Sequence, residues 1–355
     1  MAYIDKYGVK YSDDGKTLIH CPEDFRGVYI VPDGVTTIDK HAFCMCRYIE
    51  KITLPDSVSE IGRGAFSMCT KLTEVNLPEG ITRLRDTLFE CTSLKAIHIP
   101  ESVTHIEPLA LSFRACDEST TLYVPKSLYS IEDYPWGLKR ISVSPENPYY
   151  CSINGVMYSK DGSAIIKCPD GMEGAYSIPE GVKTIGEEAF YGCKLLTKIT
   201  IPDTVVKIEK KAFQNCESLI DINIPASITE IKESVFSYCT SLEKITLPDK
   251  VEVIGDRAFC GSRNLKEVNI GNNLKTLGIS AFSVCEELRR LVIPQSIKYI
   301  GDCAFLWCSS LSLTVPKRYQ DRIKLSLIAK LCVALLPKFL RKKIMPLTPY
   351  KITYY

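Results

Sequence analysis

Short runs of alternating apolar and polar residues recur along the chain, and each run ends at a proline. In the run L-T-E-V-N-L-P, we expect Leu72, Val75 and Leu77 to point inward. Glu74 and Asn76 lie between them and are expected to point outward. A proline ends the run because it has no N–H group to donate to a strand ladder. The pattern therefore predicts a short β-strand with one buried face and one exposed face.

A second apolar cluster follows each predicted strand, after a turn. In the same stretch, Ile81 and Leu84 point back toward the interior, and Leu88 and Phe89 close the unit. Stacked units place equivalent residues one strand spacing apart, about 4.8 Å. The phenylalanines at this place are therefore predicted to form a buried spine and not a ligand-binding stripe. They are Phe43, Phe66, Phe89, Phe190, Phe213, Phe236, Phe259, Phe282 and Phe305.

The strand, the turn and the second cluster form a unit, called a rung below, that recurs about every 23 residues. A fixed period in this range predicts a solenoid, in which each rung buries its apolar face against its neighbours. Such an array favours binding over catalysis. Gly271 takes the place of one of the prolines that mark the period. These prolines are Pro32, Pro55, Pro78, Pro100, Pro125, Pro179, Pro202, Pro225, Pro248, Pro294 and Pro316.

Two stretches show the consensus clearly. Leu196–Cys216 reads LTKITIPDTVVKIEKKAFQNC, and Leu242–Phe259 reads LEKITLPDKVEVIGDRAF. This pattern resembles the BspA-type leucine-rich repeat over residues 28–316. The resemblance implies a β-rich, right-handed leucine-rich-repeat solenoid with rungs of about 23 residues and a parallel β-sheet on one face. Members of that family are mostly bacterial and are commonly surface or secreted proteins that adhere to host or matrix proteins. The resemblance therefore also implies such a role.

A longer duplication is superimposed on the repeat. Residues 7–32 match residues 154–179 at a constant offset of 147 residues. Each copy reads as a strand, an Asp-Gly turn and a second strand, which is a strong β-hairpin signal. We expect the first hairpin to cap the array and the second hairpin to interrupt it. A bend is expected near residues 119–150, where the repeat is weakest.

The predicted organisation has five parts. Residues 1–31 form an N-terminal hairpin cap, 32–148 the first repeat block, 149–178 the inserted hairpin, 179–316 the second block, and 317–355 a basic C-terminal helix and tail. Apolar residues recur at four-residue steps within 317–343, which predicts an amphipathic C-terminal helix. This helix is interpreted as a cap on the last rung. The alternative is that residues 319–343 dock on a membrane surface.

Sixteen cysteines are present, and nine of them occupy one position of the rung. A free cysteine behaves as a small buried hydrophobe, so we predict a stacked ladder of reduced thiols. Zinc binding is the alternative, but the chain has no CxxC pair with partner ligands and only four histidines, so no metal or other cofactor is predicted. Ser262 takes the same place in one further rung. The ladder comprises Cys46, Cys69, Cys91, Cys116, Cys193, Cys216, Cys239, Cys285 and Cys308.

The net charge of +2 is unevenly distributed, because residues 317–355 sum to +9 and the preceding residues sum to −7. The N-terminal sequence has no apolar segment of the kind that signal peptides contain. That feature and the abundant thiols favour the cytoplasm. The family resemblance favours the cell surface or secretion, so the sequence leaves both localisations open.

The outward positions of the predicted strands form a polar wall. In the second block their charges alternate in sign, so that neighbouring rungs can pair them. A nucleic-acid groove needs one sign of charge, so nucleic acid is not a predicted partner. A protein is the predicted partner, with a glycan as the alternative. The strip that self-pairing explains least, and that we predict to bind, comprises Ala96, His98, Thr121, Tyr123 and Arg140, with Trp136 nearby.

The sequence contains no catalytic motif. A nucleophile elbow, a P-loop, an HExxH motif and a dinucleotide fingerprint are all absent from it. The ladder cysteines are expected to be buried and inert. We therefore predict a non-catalytic leucine-rich-repeat protein that acts as a protein–protein interaction or adhesion module. A peripheral membrane scaffold, docked through the C-terminal helix, is the alternative function.

Overall fold

The fold is that of a computed structural model of the chain. The structure describes residues 3–94, 97–107, 110–111, 121–131, 137–319 and 351–354. The chain divides into two compact units. Unit 1 contains Met1–Asp161 and Pro169–Gly171, and unit 2 contains Gly162–Cys168 and Met172–Tyr355. Both are β-solenoids, with about 12 turns in total at a spacing near 23 residues.

Unit 1 is built from short strands. Its rungs supply two kinds of parallel sheet: the first sheet takes the strand before the proline, and the second sheet takes a two-residue strand after the turn. In chain order the strands are β1 (Tyr3–Ile4), β2 (Lys10–Tyr11), β3 (Thr17–His20), β4 (Arg26–Ile30), β5 (Thr37–Ile38), β6 (Tyr48–Thr53), β7 (Glu60–Ile61), β8 (Glu74–Val75), β9 (Arg83–Leu84), β10 (Ile97–His98), β11 (His105–Ile106), β12 (Thr121–Val124), β13 (Ser130–Ile131), β14 (Arg140–Val143), β15 (Tyr150–Ile153) and β16 (Val156–Ser159). Strands β4-β6-β8 and β10-β12-β14 belong to the first sheet, and β3-β5-β7 and β9-β11-β13 to the second.

Unit 2 repeats this construction. In chain order its strands are β17 (Ala164–Lys167), β18 (Gly174–Ser177), β19 (Thr184–Ile185), β20 (Leu196–Thr200), β21 (Lys207–Ile208), β22 (Asp221–Ile222), β23 (Glu230–Ile231), β24 (Lys244–Thr246), β25 (Val253–Ile254), β26 (Glu267–Asn269), β27 (Thr276–Leu277), β28 (Arg290–Val292), β29 (Tyr299–Ile300), β30 (Ser312–Val315) and β31 (Lys351–Tyr354). Strands β18-β20-β22 and β24-β26-β28-β30-β31 belong to the first sheet. Strands β17-β19-β21 and β23-β25-β27-β29 belong to the second.

The second sheet is a feature that the sequence did not predict. In the rung that begins at Leu72, the first sheet takes Glu74–Val75 and the second takes Arg83–Leu84. Arg83 is in parallel register with His105 of the next rung. A strand of two residues is too short to show a period of two, so it reads as part of a turn. Its backbone nevertheless needs hydrogen-bond partners, which the neighbouring rungs supply.

The predicted phenylalanine spine is confirmed for most of its members. In unit 2 the ring centroids of successive residues lie 5.0 Å apart for Phe259 and Phe282 and 6.2 Å apart for Phe282 and Phe305. In unit 1 the rings of Phe43 and Phe66 are 5.5 Å apart. These side chains are buried, as a core spine requires.

The assignment of Phe89 to the spine was wrong. Phe89 is half-buried, whereas Thr87 and Leu88 just before it are fully buried. The interval from Cys69 to Cys91 is 22 residues. The loss of one residue shifts the rung by one position, so Leu88 fills the place of a phenylalanine. The backbone confirms this frame, because Leu88 N–H donates to Ala110 O at 3.0 Å, as other spine residues donate to the next rung's alanine.

The predicted thiol ladder is buried, and the structure shows why a small polar side chain is needed there. Cys69 Sγ donates to Phe43 O at 3.1 Å, and Cys308 Sγ donates to Phe282 O at 2.9 Å. Each thiol thus satisfies a buried carbonyl of the preceding rung. Cys116 lies outside the described residues. The described ladder thiols are Cys46, Cys69, Cys91, Cys193, Cys216, Cys239, Cys285 and Cys308, all of them free and buried.

The N-terminal hairpin is confirmed and is larger than predicted. Strands β2 and β3 pair antiparallel, and β1 pairs antiparallel with β2, which makes a three-stranded meander. A matching strand precedes the second hairpin, where β15 pairs antiparallel with β16. Asn154 and Gly155 form the turn between them, with φ values of 52° and 84°. Asn-Gly is the preferred pair for a turn that needs both residues left-handed.

A tyrosine–carboxylate network ties the N-terminal meander to the first rung. Tyr29 Oη donates to Asp5 Oδ2 at 2.7 Å, and the hydroxyls of Tyr11 and Tyr29 are hydrogen-bonded to each other. Burial raises the pKa of Tyr11 to about 12 and also raises that of Tyr29. Both phenols are therefore neutral at physiological pH and can donate these hydrogen bonds. The bonds hold the meander against Tyr29 of β4.

The predicted C-terminal helix, within residues 317–343, lies outside the described residues from residue 320 onward. Before that residue, Lys317–Tyr319 forms a single 3-10 turn. After the predicted helix, Lys351–Tyr354 adds to the first sheet as a strand parallel to β30, where the sequence predicted only an extended tail. Among the described residues, no helical segment has the length and apolar character that crossing a bilayer requires.

Candidate functional site

The predicted binding strip lies on the outward face of the first sheet of unit 1. His98 on β10 is in register with Tyr123 on β12, and Tyr123 is in register with Ser142 on β14. The three side chains share one face, because the residues between them are buried. Tyr123 is 51% exposed, so its ring is accessible on this face. The parallel register therefore forms a row of histidine, tyrosine and serine.

A second row lies beside the first. Thr121 on β12 is in register with Arg140 on β14. The Asn154–Gly155 turn borders this row, because Gly155 O accepts a 2.8 Å hydrogen bond from Ile141 N–H. A Cβ added at Gly155 would lie 3.3 Å from Arg140 Cγ, so the hairpin passes close to the arginine side chain. The hairpin thus forms one border of the predicted strip.

Elsewhere on the outward face, charged side chains of neighbouring rungs pair as predicted. Lys51 Nζ lies 2.8 Å from Glu74 Oε1, and in unit 2 Lys198 Nζ lies 2.7 Å from Asp221 Oδ2. The Arg140 side chain differs, since it forms no ion pair within the described part of the chain. His98 and Tyr123 likewise have no side-chain hydrogen bond to the residues described. These three side chains are therefore available to a ligand.

Several polar residues of the wall are structural. Asn223 Oδ1 accepts from Ile201 N–H at 2.8 Å, and Asn223 Nδ2 donates to Ile201 O at 2.7 Å. Asn76 brackets Leu54 in the same way. The bracketed residue precedes a proline, where the strand ladder ends. These asparagines therefore extend the ladder by one residue and are not ligand-binding groups.

Two members of the predicted strip lie outside the described residues, namely Ala96 and Trp136. His98, Thr121, Tyr123 and Arg140 are brought together as the sequence suggested. Sequence reasoning missed Ser142, whose place beside Tyr123 depends on the register of β14.

Sequence reasoning also missed an aromatic cluster on the second sheet of unit 1. The ring centroids of His105 and Tyr129 are 4.4 Å apart, and those of Tyr129 and Tyr149 are 5.9 Å apart. Tyr150 Oη donates to Tyr129 O at 2.9 Å. Tyr129 is 45% exposed and Tyr149 is 53% exposed. A prediction of the second sheet would have revealed this cluster, because that sheet brings the tyrosines of neighbouring rungs together.

The second sheet of unit 1 also borders an open groove of about 800 Å³. Its charged lining is paired internally. Arg63 Nε lies 2.8 Å from Asp86 Oδ2, and Arg85 Nε lies 3.0 Å from Glu107 Oε1. These groups neutralise one another across neighbouring rungs, so the groove has little net charge to offer a ligand.

The ladder thiols are poorly suited to nucleophilic chemistry. Burial raises the pKa of the Cys239 thiol to about 12, and burial also raises the pKa of Cys216. The reactive form of cysteine is the thiolate, which such sites disfavour at neutral pH. The histidines do not assemble with them into a site on one face, since His98 is on β10 of the first sheet and His105 on β11 of the second. The ladder cysteines therefore fit a role in core packing and not in catalysis.

A family model for the BspA-type leucine-rich repeat region matches this chain in six copies, over residues 28–137, 174–289 and 231–329. The chain belongs to the BspA-type leucine-rich repeat family. The match covers both units and most of the chain. It describes a repeat family and indicates no catalytic family. Among curated proteins, none matches this chain.

Solved structures of bacterial leucine-rich-repeat proteins share the fold. A leucine-rich cell surface protein from Faecalibacterium prausnitzii is 26% identical, with 89% of this chain and 94% of that chain covered and a TM-score of 0.54. A leucine-rich-repeat protein from Eubacterium ventriosum is 24% identical, with 86% and 94% covered and a TM-score of 0.62. The pneumococcal vaccine antigen PcpA is 23% identical, with 91% and 80% covered and a TM-score of 0.55.

Proposed function

We propose that this chain is a non-catalytic adhesion module that binds another protein through the strip formed by His98, Thr121, Tyr123 and Arg140. The observation that carries the proposal is a difference in ion pairing among the outward-facing charged side chains of the first sheet. Three neighbouring pairs of rungs neutralise their outward charges through Lys51–Glu74, Lys198–Asp221 and Lys244–Glu267. Arg140, like Arg290 in unit 2, has no such partner among the described residues. An exposed tyrosine lies on the strand beside it, and both residue types are typical anchors of protein interfaces.

The chemistry of the strip suggests what kind of surface it would bind. Arg140 carries five N–H donors and a permanent positive charge. Tyr123 adds a rigid amphipathic ring, which gives contact area at low entropic cost. His98 and Ser142 supply further polar atoms beside the ring. A protein segment that presents carboxylates or backbone carbonyls next to an apolar side chain fits this set best.

The comparisons support an adhesive role without naming a partner. The similar protein from Faecalibacterium prausnitzii is described as a cell surface protein. Family membership agrees with a repeat protein whose surface serves interaction. We propose the same general role for this chain, with matrix or host-surface proteins as the class of partner.

The proposal is tested by binding to a panel of immobilised matrix proteins: fibronectin, fibrinogen, laminin and collagen. The test variant combines Tyr123→Ala with Arg140→Ala. We expect wild-type protein to bind at least one member, and the variant to bind it about 30-fold more weakly, as the loss of an interface anchor implies.

The control variant combines Lys198→Ala with Asp221→Ala, which removes a self-paired ion pair from the same kind of wall in unit 2. It should bind like the wild type. Circular dichroism must show that both variants are folded. Equal loss of binding in the two variants would remove the strip from consideration, and a wild type that binds no member of the panel would contradict the adhesive role.

A further inference from the structure

The outermost strand of the first sheet in unit 1, β4, exposes two large apolar side chains. Val28 is 55% exposed and Ile30 is 68% exposed. Both point outward, because Tyr29 between them is buried. Within the described part of the chain, β4 pairs on one side only, with β6. Natural proteins usually protect such an edge, so an exposed apolar edge strand indicates a pairing surface.

The internal duplication shows that the rung itself does not require these two side chains. Strand β18 of unit 2 is the duplicate of β4 and has the same bulge after its first glycine. Its outward positions carry Ala175 and Ser177, both exposed. The same rung therefore folds with small or polar residues at these positions. Both strands are the first of their sheets, so the valine and the isoleucine distinguish the edge of β4 from that of its duplicate.

The backbone of β4 offers hydrogen-bonding groups along the same edge. Val31 N–H donates to Thr53 O of β6 at 2.9 Å. Successive residues of a strand direct their N–H and C=O groups to opposite edges. The groups of Val28 and Ile30 are therefore directed away from β6. The bulge lies between Gly27 and Val28, so the regular part of β4 is Val28–Ile30. The N–H of Val31 continues the pairing with β6 beyond the strand, which makes a regular stretch of four residues.

The other end of the chain shows how this kind of sheet accepts an added strand. Strand β31 does not belong to a rung, yet it extends the first sheet of unit 2 in parallel register with β30. Ser312 is in register with Lys351 and Val315 with Tyr354, so the added strand is four residues long. Its sequence, K-I-T-Y, alternates polar and apolar residues as β30 does.

We propose that β4 of one copy receives the C-terminal strand Lys351–Tyr354 of a second copy as a parallel neighbour. The regular edge of β4 and the added strand have the same length. In the register seen on β30, Thr353 would lie beside Ile30, which is a favourable cross-strand pair of β-branched residues. Strand β31 pairs with β30 through one edge, so its other edge is the one that would meet β4 of the second copy. The resulting contact is head-to-tail, since it joins different surfaces of two identical chains.

The proposal predicts how two variants of the full chain behave, alone and mixed. The head variant combines Val28→Ala with Ile30→Ser, which copies the residues of β18. The tail variant combines Ile352→Pro with Thr353→Pro, which removes strand N–H groups from both edges. Analytical ultracentrifugation should show wild-type mass rising with concentration above the chain mass of 39.8 kDa. Each variant alone should stay at one chain mass over a concentration range at least about tenfold higher.

An equimolar mixture of the two variants should recover association but stop at two chains, because each partner retains one competent end. The control variant combines Val206→Ala with Ile220→Ser, which removes two side chains that are each 58% exposed in unit 2. It should associate like the wild type. A wild type that stays monomeric, a folded head variant that associates normally, or a mixture that stays monomeric would each overturn the proposal. This surface is separate from the proposed binding strip, so failure of either test leaves the other standing.

Discussion

The hydroxyl of Ser262 donates a 2.8 Å hydrogen bond to the carbonyl oxygen of Phe236, one rung earlier in the stack. Cysteine thiols make the same bond in other rungs; Cys239 Sγ, for example, donates to Phe213 O at 3.2 Å. The position therefore requires a small side chain that is also a donor. This hydrogen bond links the two recurring features of the core, the phenylalanine spine and the thiol ladder, in most of the described rungs; Cys46 and Cys193 donate instead to the carbonyls of Cys21 and Cys168.

Replacement of Cys239 should separate the size of the side chain from its hydrogen bond. Cys239→Ser keeps a donor, as Ser262 does, and should change the free energy of unfolding by less than about 1 kcal/mol. Cys239→Val removes the thiol donor, so that the Phe213 carbonyl keeps only the Cys216 N–H, and it adds a methyl group at a fully buried site. It should cost about 1–3 kcal/mol. Urea unfolding followed by circular dichroism measures both. Equal stability of the two variants would show that the thiol contributes packing alone.

The buried thiols predict a loss of stability at alkaline pH. Burial raises the pKa of Cys239 to about 12, above the value near 8.5 of an unfolded cysteine. The folded state therefore holds this proton more tightly, and the contribution is fully present below pH about 8.5 and is lost as pH rises toward about 12. The midpoint of unfolding, measured as a function of pH, should be constant near neutral pH and should fall above about pH 9.

The control for this pH dependence is Cys239→Ser, which removes one titrating group while keeping the hydrogen bond. Its midpoint should decline less steeply than that of the wild type. Tyr11 shifts in the same direction and contributes to the decline of both proteins, so the difference between them isolates the thiol. Identical alkaline profiles would mean that Cys239 has an ordinary pKa in the folded protein.

Two asparagines at the same position of the rung should differ in importance. Asn223 makes two hydrogen bonds to the backbone of Ile201. The side chain of Asn269 is instead bonded to two exposed side chains, Thr246 Oγ1 at 3.3 Å and the carboxylate of Glu267. Asn223→Ala should lower the free energy of unfolding by about 1–3 kcal/mol. Asn269→Ala should lower it by less than about 0.5 kcal/mol. A reversed order would contradict the bracketing role.

The shifted frame of the 22-residue rung predicts opposite outcomes for two neighbouring residues. Leu88 is fully buried in the place of a spine phenylalanine, so Leu88→Ala should cost about 2–5 kcal/mol. Phe89 is only half-buried, and Phe89→Ala should cost less than about 2 kcal/mol. Thermal unfolding of the two variants checks the order. A larger loss for Phe89→Ala would restore Phe89 to the spine.

The backbone at Val284 predicts a stabilising substitution. Val284 has φ of 62°, and the same place in other rungs is occupied by Gly192 and Gly261. A left-handed conformation costs an L-residue about 1–2 kcal/mol, so Val284→Gly should raise stability by about 0.5–1 kcal/mol after the entropy of glycine is counted. Val292→Gly, in strand β28, is the matched control and should destabilise. Loss of stability at both sites would rule out strain at Val284.

Local pattern was enough to predict the rungs, because each rung repeats the same short-range alternation. Prediction from this local pattern failed for two kinds of feature. One is a strand too short to show a period, and the other is a pairing between segments far apart in the sequence. The strand Arg83–Leu84 has two residues and resembles a turn, so the second sheet was missed. Strand β31 joins β30 across a long connection, and no local signal indicates such a pairing.

The rung length, the inward-facing residues and the thiol ladder could all be predicted from the amino-acid pattern, because they follow from alternation within one rung and from stacking of identical residues. Which outward side chains are neighbours, and which are already bonded, depends on how the rungs pack against one another. Asn223 and Asn269 occupy equivalent sequence positions but make different contacts. Tyr123 meets His98 only through the register of two strands. Such contacts join atoms from different rungs, and their geometry depends on packing that no single rung contains.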